Sequence, residues 1–525
     1  MTATFRLTAA RGATLVALVA ATSLLAGCVA TQAPPTGLPD EALEVMNQPQ
    51  FAHGRWLVSV QDLDSGETLI DLDADKMAEP GSFVKTYSAG AAWVKWGPDH
   101  TITTPVRRSG DVVDGALAGD LILVAQGDLT MGGRTKADGT VDFANLDHND
   151  ANPLPGATLT PENPLAGLDE LAAQVSASGI ATVHGDVVID DRLFSGELAG
   201  QPISPIIINQ NIVDILITPG AVGELATGVL TPAVGAWTVD MQVKTVAAGE
   251  KTGIKVVGVT VDAPNTIVVT GAISADSGPN LKVYEFDDPG TFARTAFVEA
   301  LGRAGVTVTA DPLRSNSVES LPTRESVAGL PAVAELESLP LEEEVTYVMK
   351  ISYNRGAQTL VCRLAADAGS EKCDDGMGVI QEIWADSGLD TEGASLVDGS
   401  GLEGNLITPR NAVDIQTVMA KRTDAARWRD TMPVLGVDGS LATVQADSPA
   451  AGKVFAKTGT LVGGDAFNDR LRLSTKTLGG VMETKGGRHL AFTIIVNNGF
   501  YPGEAGIFEA NDDVGKVAAA IQQAY

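Results

Sequence analysis

The sequence predicts a mixed α/β (α+β) domain that is interrupted by a large β-rich insertion. A run dense in small and apolar residues, typical of a buried helix, begins at Ser82, and a strand-like segment, Lys453–Leu461, follows only far downstream. Between them, segments such as Thr266–Gly271 alternate in polarity and are bounded by turn residues, which favours short strands. With 525 residues, the chain also exceeds what one hydrophobic core normally supports. We therefore expect one α/β domain in two parts, 48–103 and 331–525, around an inserted β-rich region, 104–330.

The N-terminus predicts export and lipid attachment. An apolar stretch, Ala13–Leu25, follows two arginines and is too short to span a bilayer comfortably. It leads into Leu25-Ala26-Gly27-Cys28, which resembles the bacterial lipobox that is cleaved before a cysteine. We therefore expect a lipoprotein signal peptide at 1–27, a diacylated Cys28, a tether at 28–47, and an extracytoplasmic place in the cell envelope, anchored to the membrane by lipid. An uncleaved anchor helix and cleavage at another position are the alternatives.

The helix predicted at Ser82 carries the first chemically suggestive pattern. Pro80-Gly81 ends the preceding segment, which puts Ser82 at the helix N-terminus, where the dipole favours developing negative charge. A serine hydroxyl is a weak nucleophile that needs a base within reach, and Lys85, three residues later, shares its helix face. Lysine acts as a base only when desolvation or neighbouring cations lower its pKa. Ser82 and Lys85 are therefore a candidate nucleophile and base.

Two further strings follow in the second part of the domain. Leu341–Ala368 is predicted to be helical with an interruption at Ser352-Tyr353-Asn354, and the strand Lys453–Leu461 contains Lys457-Thr458-Gly459. A second K-T-G string, at 251–253, precedes the S-x-N string and is interpreted as an ordinary turn. Each string alone can arise by coincidence. In the order S-x-x-K, S-x-N, K-T-G they match the catalytic signature of penicillin-interacting serine enzymes.

The resemblance extends over nearly the whole chain beyond the expected signal peptide. Ser82 and Ser352 lie 270 residues apart, and this wide spacing resembles that of low-molecular-mass class C penicillin-binding proteins. The sequence is therefore similar to the D-alanyl-D-alanine carboxypeptidase/endopeptidase family. The resemblance implies a penicillin-binding, β-lactamase-like transpeptidase fold with two small inserted domains. It also implies a peptidase that acts on peptidoglycan stem peptides and is covalently inhibited by β-lactams. Glycine-rich strings such as Asp398–Leu402 and Gly436–Leu441 are interpreted as turn and packing devices.

The family also implies a role for each motif residue. The implied catalytic residues are Ser82, Lys85, Ser352, Asn354 and Lys457, and the implied substrate-binding residues are Thr458, Gly459 and Thr460. Ser82 would attack the carbonyl of the penultimate D-alanine, and Lys85 would accept its proton. Lys457 and Thr458 would bind the terminal carboxylate, and the backbone N–H groups of Ser82 and Thr460 would form the oxyanion hole. The remaining catalytic side chains would hold the substrate amide and pass a proton to the leaving amine.

Three features depart from the family pattern. Tyr353 stands in the middle of S-x-N, where related β-lactamases commonly carry aspartate, and Leu129 stands where the family usually carries proline. Residues 467–477 are interpreted as an extra loop between the K-T-G strand and the next predicted strand, Leu490–Val496. Such a loop would rim the cleft, so substrate size is the preference that it would affect.

Two alternatives to a peptidase stay open: a β-lactamase, and a non-catalytic envelope lipoprotein that binds cell-wall peptide. Class A β-lactamases activate water with a glutamate, and the E-x-x-L-N string that would supply it is absent between Asn354 and Lys457. The intact motifs argue against a silent protein, because decay would be expected to remove one of the reactive side chains.

Composition excludes other classes of function. The formal net charge is −30, and −32 without residues 1–27, which opposes binding to nucleic acid. The five histidines show no metal-binding spacing and the sequence has no phosphate-binding loop, so no metal and no cofactor are expected.

Two cysteines follow the expected lipidation site, an even number in an exported chain. On one continuous helix, Cys362 and Cys373 would lie about 16 Å apart, too far for a disulfide. The string Ala368-Gly369-Ser370 offers a helix stop and a new N-cap between them, so a helix-turn-helix disulfide is feasible. Two buried thiols are the alternative.

Overall fold

The computed structural model describes residues 37–503 and 505–525. The expected signal peptide and the lipidation site Cys28 lie outside these residues. Part of the expected tether is described: Asp40–Met46 form helix α1, in which Ala42 and Val45 are buried. The chain therefore joins the packed structure before residue 48.

The first part of the chain contributes two strands and the helix that carries the first motif. These elements are β1 (Arg55–Asp62), β2 (Thr68–Leu72) and α2 (Lys85–Trp96). A 3-10 turn, Gly81–Val84, precedes α2. Ser82 therefore lies in this turn, one step before the α-helix in which it was expected.

Residues 103–337 form a region of short strands with its own hydrophobic cluster, built from side chains between Val106 and Leu336. Its strands are β3 (Thr103–Arg108), β4 (Val112–Val113), β5 (Ala116–Leu117), β6 (Leu121–Val124), β7 (Thr182–Val183), β8 (Val187–Asp190), β9 (Gly196–Leu198), β10 (Gln201–Ile203), β11 (Ile212–Thr218), β12 (Thr227–Thr231), β13 (Thr238–Val246), β14 (Gly253–Thr260), β15 (Ala263–Ser274), β16 (Asn280–Glu285), β17 (Thr307–Val308) and β18 (Ala332–Glu337). Its helices are α3 (Ala166–Ala177), α4 (Pro289–Arg303) and α5 (Arg324–Ala328).

These strands form several small sheets rather than one large one. Two sheets have four strands, in the orders β18-β3-β6-β8 and β17-β7-β5-β4, and two have three, in the orders β12-β11-β16 and β13-β15-β14. The predicted strand Thr266–Gly271 lies inside β15, the middle strand of its sheet. The prediction of a β-rich inserted region is confirmed.

The last part of the chain is helical at first and then returns to strands. Its helices are α6 (Leu341–Lys350), α7 (Asn354–Asp367), α8 (Asp375–Asp386), α9 (Pro409–Ala420), α10 (Ala425–Asp430) and α11 (Gly506–Ala524). Its strands are β19 (Ala394–Ser395), β20 (Leu406–Ile407), β21 (Val454–Asp465), β22 (Arg470–Glu483) and β23 (His489–Tyr501). The predicted helix 341–368 and its break at 352–354 are confirmed by α6 and α7.

A five-stranded sheet joins the two ends of the chain. Its order is β2-β1-β23-β22-β21, and every neighbouring pair is antiparallel. The register places Arg55 of β1 opposite Asn497 of β23. The mixed α/β architecture is confirmed, and the strand that carries K-T-G lies at one edge of the sheet.

The prediction of an extra loop at residues 467–477 is wrong. Residues from Arg470 onward belong to β22, which runs to Glu483 and pairs with β21 and β23 along its length, so that only a tight turn joins β21 to β22. The first half of β22 contains several charged and polar side chains, and for this reason the sequence does not suggest a strand there. Gly479 and Gly480 in its second half, which suggest a turn, are needed for packing: a Cβ at Gly479 would lie 2.6 Å from the ring of Phe83.

Helix α2 is buried along most of its length. Tyr87 and Trp93 of α2 share a hydrophobic cluster with Leu360 of α7 and Ile495 of β23. This packing fixes the N-terminal end of α2 against the edge strand β21. None of the helices in the described ranges has the length and apolar character needed to cross a bilayer.

Candidate active site

Ser82 lies where the turn before α2 meets β21. It is partly exposed, whereas its neighbours Gly81 and Phe83 are buried. Gly81 has a φ of 53°, and a Cβ at this position would lie 2.6 Å from the backbone nitrogen of Thr460. Only glycine allows this close approach, so Gly81 brings the backbone of β21 beside the serine.

Lys85 is fully buried, and its amine is surrounded by oxygen atoms. Nζ lies 2.9 Å from Ser82 Oγ, 2.6 Å from Asn354 Oδ1 and 2.8 Å from the backbone oxygen of Ser400. Burial lowers the pKa of Lys85 to about 7, although the charges of Asp398 and Asp150 act in the opposite direction. A neutral Lys85 can donate its two N–H groups to the two carbonyl oxygens and turn its lone pair toward the serine hydroxyl.

Ser352 and Asn354 occupy the junction between α6 and α7. Ser352 has a φ of 59°, a left-handed conformation that costs about 1–3 kcal/mol for a residue other than glycine. The sharp turn directs the Ser352 hydroxyl toward Lys457 at 2.9 Å and places the Asn354 amide oxygen beside Lys85. The S-x-N string therefore connects the two motif lysines.

Tyr353, between these two residues, is a packing residue. Its side chain is 2 % exposed, and its ring packs on that of Tyr347 at 5.3 Å between centroids. Its N–H donates to the backbone oxygen of Val348 at 3.0 Å, and Gly356 leaves room for the ring. Tyrosine at the middle position therefore braces the strained junction.

Lys457 is the second fully buried motif lysine. Its Nζ lies 2.9 Å from Ser352 Oγ and donates to the backbone oxygen of Thr458 at 2.8 Å. Burial, and then the nearby amines of Lys85 and Lys476, hold its pKa well below the usual value. An incoming anion would favour the protonated form of this lysine.

The rest of the K-T-G strand faces the serine directly. The hydroxyl of Thr458 lies 2.9 Å from that of Ser440, which belongs to the glycine-rich string 436–441. Gly459 packs against the backbone of Pro80 so closely that a Cβ would collide with its carbonyl oxygen. Of the expected substrate-binding residues, Thr458 and Thr460 therefore line the cavity that contains Ser82, and Gly459 lies between them against the backbone of Pro80.

The glycine-rich string at 398–402 does more than turn the chain. Asp398 accepts hydrogen bonds from the backbone N–H groups of Ser400 and Gly401, and this fixes the loop so that the Ser400 carbonyl meets Lys85. Although burial opposes it, hydrogen bonds from Ser400 and Asn405 lower the pKa of Asp398. The sequence showed the turn but not its contact with the lysine.

Lys476 was not identified as a site residue from the sequence. It lies opposite Thr460 in the β21–β22 register, and its Nζ donates to Thr460 Oγ1 at 2.7 Å. It is 3 % exposed, and burial lowers its pKa to about 7. The alternation of Arg470 to Leu473 was the signal that could have shown the strand.

The inserted region supplies the wall opposite the K-T-G strand. Asn145 accepts from the N–H of Gly439 at 2.8 Å, and Asn149 donates to the backbone oxygen of Ile351 at 3.3 Å. Half-buried Asp150 lies on the same turn, faces the cleft, and influences both Lys85 and Lys457 electrostatically. Burial, and then the charge of Asp147, raise the pKa of Asp150 to about 6.

A model of the D-Ala-D-Ala carboxypeptidase 3 (S13) family matches residues 40–510. The chain belongs to the S13 peptidase family. It is a serine-type D-Ala-D-Ala carboxypeptidase. The family match thus favours the peptidase hypothesis over the β-lactamase and the non-catalytic lipoprotein.

Two relatives of this S13 peptidase show how far the likeness extends. A D-alanyl-D-alanine carboxypeptidase of Actinomadura sp. (strain R39) is 30 % identical over 469 residues, which cover 82 % of this chain and 78 % of that protein. The crystal structure of penicillin binding protein 4 (dacB) from Haemophilus influenzae superposes with a TM-score of 0.66 at 19 % identity, over 90 % of this chain and 98 % of that chain. The second relative establishes the shared fold.

Several motif residues of this S13 peptidase line one cavity of about 820 Å³, whereas the buried side chains of Lys85 and Lys457 are not part of its lining. Its lining includes Ser82, Ser352, Asn354, Thr458 and Thr460, together with Asp150 and Lys476. Within residues 37–503 and 505–525, no cluster of three His, Cys, Asp or Glu side chains is arranged to hold a metal ion.

The remaining pair of expected residues lies outside this cavity. Cys362 of α7 and Cys373, just before α8, are joined by a disulfide. Gly369, with a φ of 89°, ends the chain segment after α7 and lets it reverse. The pair therefore joins two helices through the short turn that the sequence offered for it.

Proposed function

We propose that this S13 peptidase removes the terminal D-alanine from peptidoglycan stem peptides through an acyl-enzyme on Ser82. The observation that carries the proposal is the environment of Lys85. Its amine lies 2.9 Å from the serine hydroxyl, while the oxygens of Asn354 and Ser400 accept its N–H groups. With a pKa near 7, this lysine is neutral in a large fraction of molecules at neutral pH and accepts the serine proton.

In the first half-reaction, the Ser82 proton moves to Lys85 and the serine oxygen bonds to the carbonyl carbon of the penultimate residue. The backbone N–H groups of Ser82 and Thr460 stabilise the oxyanion, and losing one such donor typically costs about 10²–10³ in rate. The C–N bond then breaks. Ser352 gives its hydroxyl proton to the leaving amine, and the proton that Lys85 took from Ser82 replaces it, so that Lys85 is neutral again.

In the second half-reaction, a water molecule gives a proton to neutral Lys85, and the water oxygen attacks the carbonyl carbon of the ester. The bond between the acyl carbon and Ser82 Oγ breaks, and the serine oxygen recovers a proton. Lys457 and Thr458 hold the terminal carboxylate of the intact substrate. Buried Lys457 suits this role because an anion offsets the cost of charging an amine away from water.

The same site is proposed to form a stable acyl-enzyme with β-lactams. The Haemophilus influenzae penicillin binding protein 4 has also been crystallised in complex with a β-lactam. In this chain, the residues between Asn354 and Lys457 lack the glutamate motif with which class A β-lactamases activate water. Slow release of the penicilloyl ester is the expected consequence.

The decisive experiment compares two activities of one preparation. D-Alanine release from a peptide ending in D-alanyl-D-alanine is measured beside hydrolysis of a chromogenic cephalosporin. The proposal expects D-alanine release, and penicillin label on the peptide that contains Ser82. Rapid cephalosporin turnover without D-alanine release would make the protein a β-lactamase instead.

The envelope location and the lipid anchor are also proposals. They rest on the apolar segment 13–25 and on the lipobox-like string that ends at Cys28. We expect a fatty-acid analogue to label the wild type in cells and to leave Cys28→Ser unlabelled and released from membranes. Absence of label in the wild type would remove the lipoprotein assignment.

The division into domains remains a proposal as well. Its support is that side chains between Val106 and Leu336 form one hydrophobic cluster, while the five-stranded sheet combines residues from both flanking parts. We propose that residues 104–330 act as an insertion whose turn at 148–150 reaches into the catalytic cleft.

A further inference from the structure

We propose that Lys476 is a positioning residue that makes this peptidase select substrates with a free terminal carboxylate. It acts through Thr460, whose hydroxyl it orients, and it supplies positive charge at the end of the cavity where the carboxylate binds. This inference rests on the proposed function, because it assumes that Ser82 is the nucleophile and that the carboxylate lies along the K-T-G strand.

The first support is the position of the amine. Cross-strand pairing sets Lys476 opposite Thr460, and both residues line the same cavity as Ser82 and Thr458. The amine is not on a mobile surface side chain, since the residue is 3 % exposed. The register of an antiparallel pair fixes which side chains face each other, so the contact is built into the sheet.

The second support is the direction of the hydrogen bond. The amine of Lys476 donates to Thr460 Oγ1 at 2.7 Å, which uses the hydroxyl as an acceptor. The hydroxyl proton of Thr460 is then free to donate to another acceptor. With the hydroxyl pair of Thr458 and Ser440, the end of the cleft presents several donors to one anionic group.

The third support is electrostatic. No aspartate or glutamate among residues 37–503 and 505–525 forms a salt bridge with Lys476. A buried amine without a counter-ion is costly when charged, so an anionic ligand would supply what the fold leaves out. Burial lowers the pKa of Lys476 to about 7, and a bound carboxylate would shift the amine toward its protonated form.

The test compares two β-lactams that differ at one carboxyl group: benzylpenicillin, and its methyl ester, which lacks the negative charge. We expect the wild type to acylate faster with the free acid, and Lys476→Met to reduce that preference by about 10- to 100-fold, the size of a lost charge-assisted hydrogen bond. The rate with the ester should change little. For the D-alanyl-D-alanine peptide, KM should rise more than kcat falls.

A purely structural role would slow both compounds alike, and an unchanged preference in folded Lys476→Met would overturn the proposal. Lys251→Met is the matched control, because Lys251 begins the exposed second K-T-G string. If neither compound labels the wild type, the proposed function itself fails, and the role of Lys476 fails with it. Labelling with an unchanged preference removes Lys476 alone.

If Lys476→Met does not fold, Lys476→Arg decides the matter. Arginine keeps its charge at all accessible pH values, so the preference should persist above pH 7 in this variant and decline there in the wild type. The other titratable groups at this end of the cleft, Lys457 and Asp150, are the same in both proteins. Equal declines in the two proteins would overturn the proposal.

Discussion

The two motif lysines are equally buried and yet differ in what surrounds them. Lys85 contacts three oxygen atoms, and the negative charge of Asp398 partly opposes the effect of its burial. Lys457 contacts two oxygen atoms, and the amines of Lys85 and Lys476 add to the effect of its burial. The pKa of both amines is therefore lowered, that of Lys85 to about 7, and the two lysines differ in the charges that surround them.

This difference supports the separate roles that we propose for the two residues. An amine that titrates near neutrality can accept and return a proton in each cycle, as a general base must. A buried amine whose neighbours are other amines gains a counter-ion when a carboxylate binds beside it. We therefore propose that two lysines of one site serve different purposes because their neighbours carry different charges.

The largest effect on turnover should follow from removing the hydroxyl of Ser82, from which Lys85 is proposed to accept a proton. Ser82→Ala should lower turnover by about 10⁶-fold and abolish penicillin labelling, since the nucleophile and its base act as a unit. D-Alanine release and mass spectrometry of the labelled peptide are the measurements, with thermal unfolding as the control for folding. Labelling that persists in this variant would mean that another residue is the nucleophile.

The next effect separates the two lysines directly. Lys85→Met should lower acylation by about 10²–10⁴-fold with both benzylpenicillin and its methyl ester, because every acylation needs the base. Lys457→Met should slow the free acid more than the ester, because it removes a partner of the carboxylate. Stopped-flow acylation with both compounds makes the comparison, and Lys251→Met should behave as the wild type. Identical patterns in the two variants would refute the division of roles.

How far the sequence could predict this site depends on the range of each contact. Ser82 and Lys85 are three residues apart, and the break at Ser352 interrupts a helical pattern, so local spacing revealed them. The contact of Lys85 with the Ser400 carbonyl involves a backbone atom, which leaves no signature in residue type. The glycine-rich string 398–402 therefore predicts the turn but not the hydrogen bond that its backbone accepts from Lys85.

Lys476 and Asp150 were missed for a different reason. Lys476 reaches the site through the register of a hairpin, and the strand that carries it was interpreted as a loop. Asp150 reaches it from the inserted region through contacts such as that of Asn149 with Ile351, which join residues about 200 positions apart. Tertiary packing alone brings such groups together, and no local pattern records it.

A smaller effect should follow from the charge of Asp150. Since Lys85 must be neutral to act, acylation should rise as pH increases through about 7. The carboxylate of Asp150 raises the pKa of Lys85, so Asp150→Asn should move this rise to lower pH. The pH profile of acylation by benzylpenicillin is the measurement, with Asp138→Asn, on an exposed turn of the same segment, as control. A shift to higher pH would contradict the electrostatic assignment.

The smallest effect on the two lysines should come from the disulfide, which tests whether their difference is local. Replacing both Cys362 and Cys373 by alanine removes a cross-link between positions 11 residues apart, which by loop entropy stabilises the fold by about 3 kcal/mol. Asn354 at the start of α7 accepts a hydrogen bond from Lys85, and Cys362 lies about 12 Å farther along the same helix. We expect the free energy of unfolding in denaturant to fall while the pH profile of acylation stays at its wild-type position. A displaced profile would mean that the environment of Lys85 depends on the far end of α7, and the contrast between the two lysines would then be a property of the whole helical lobe.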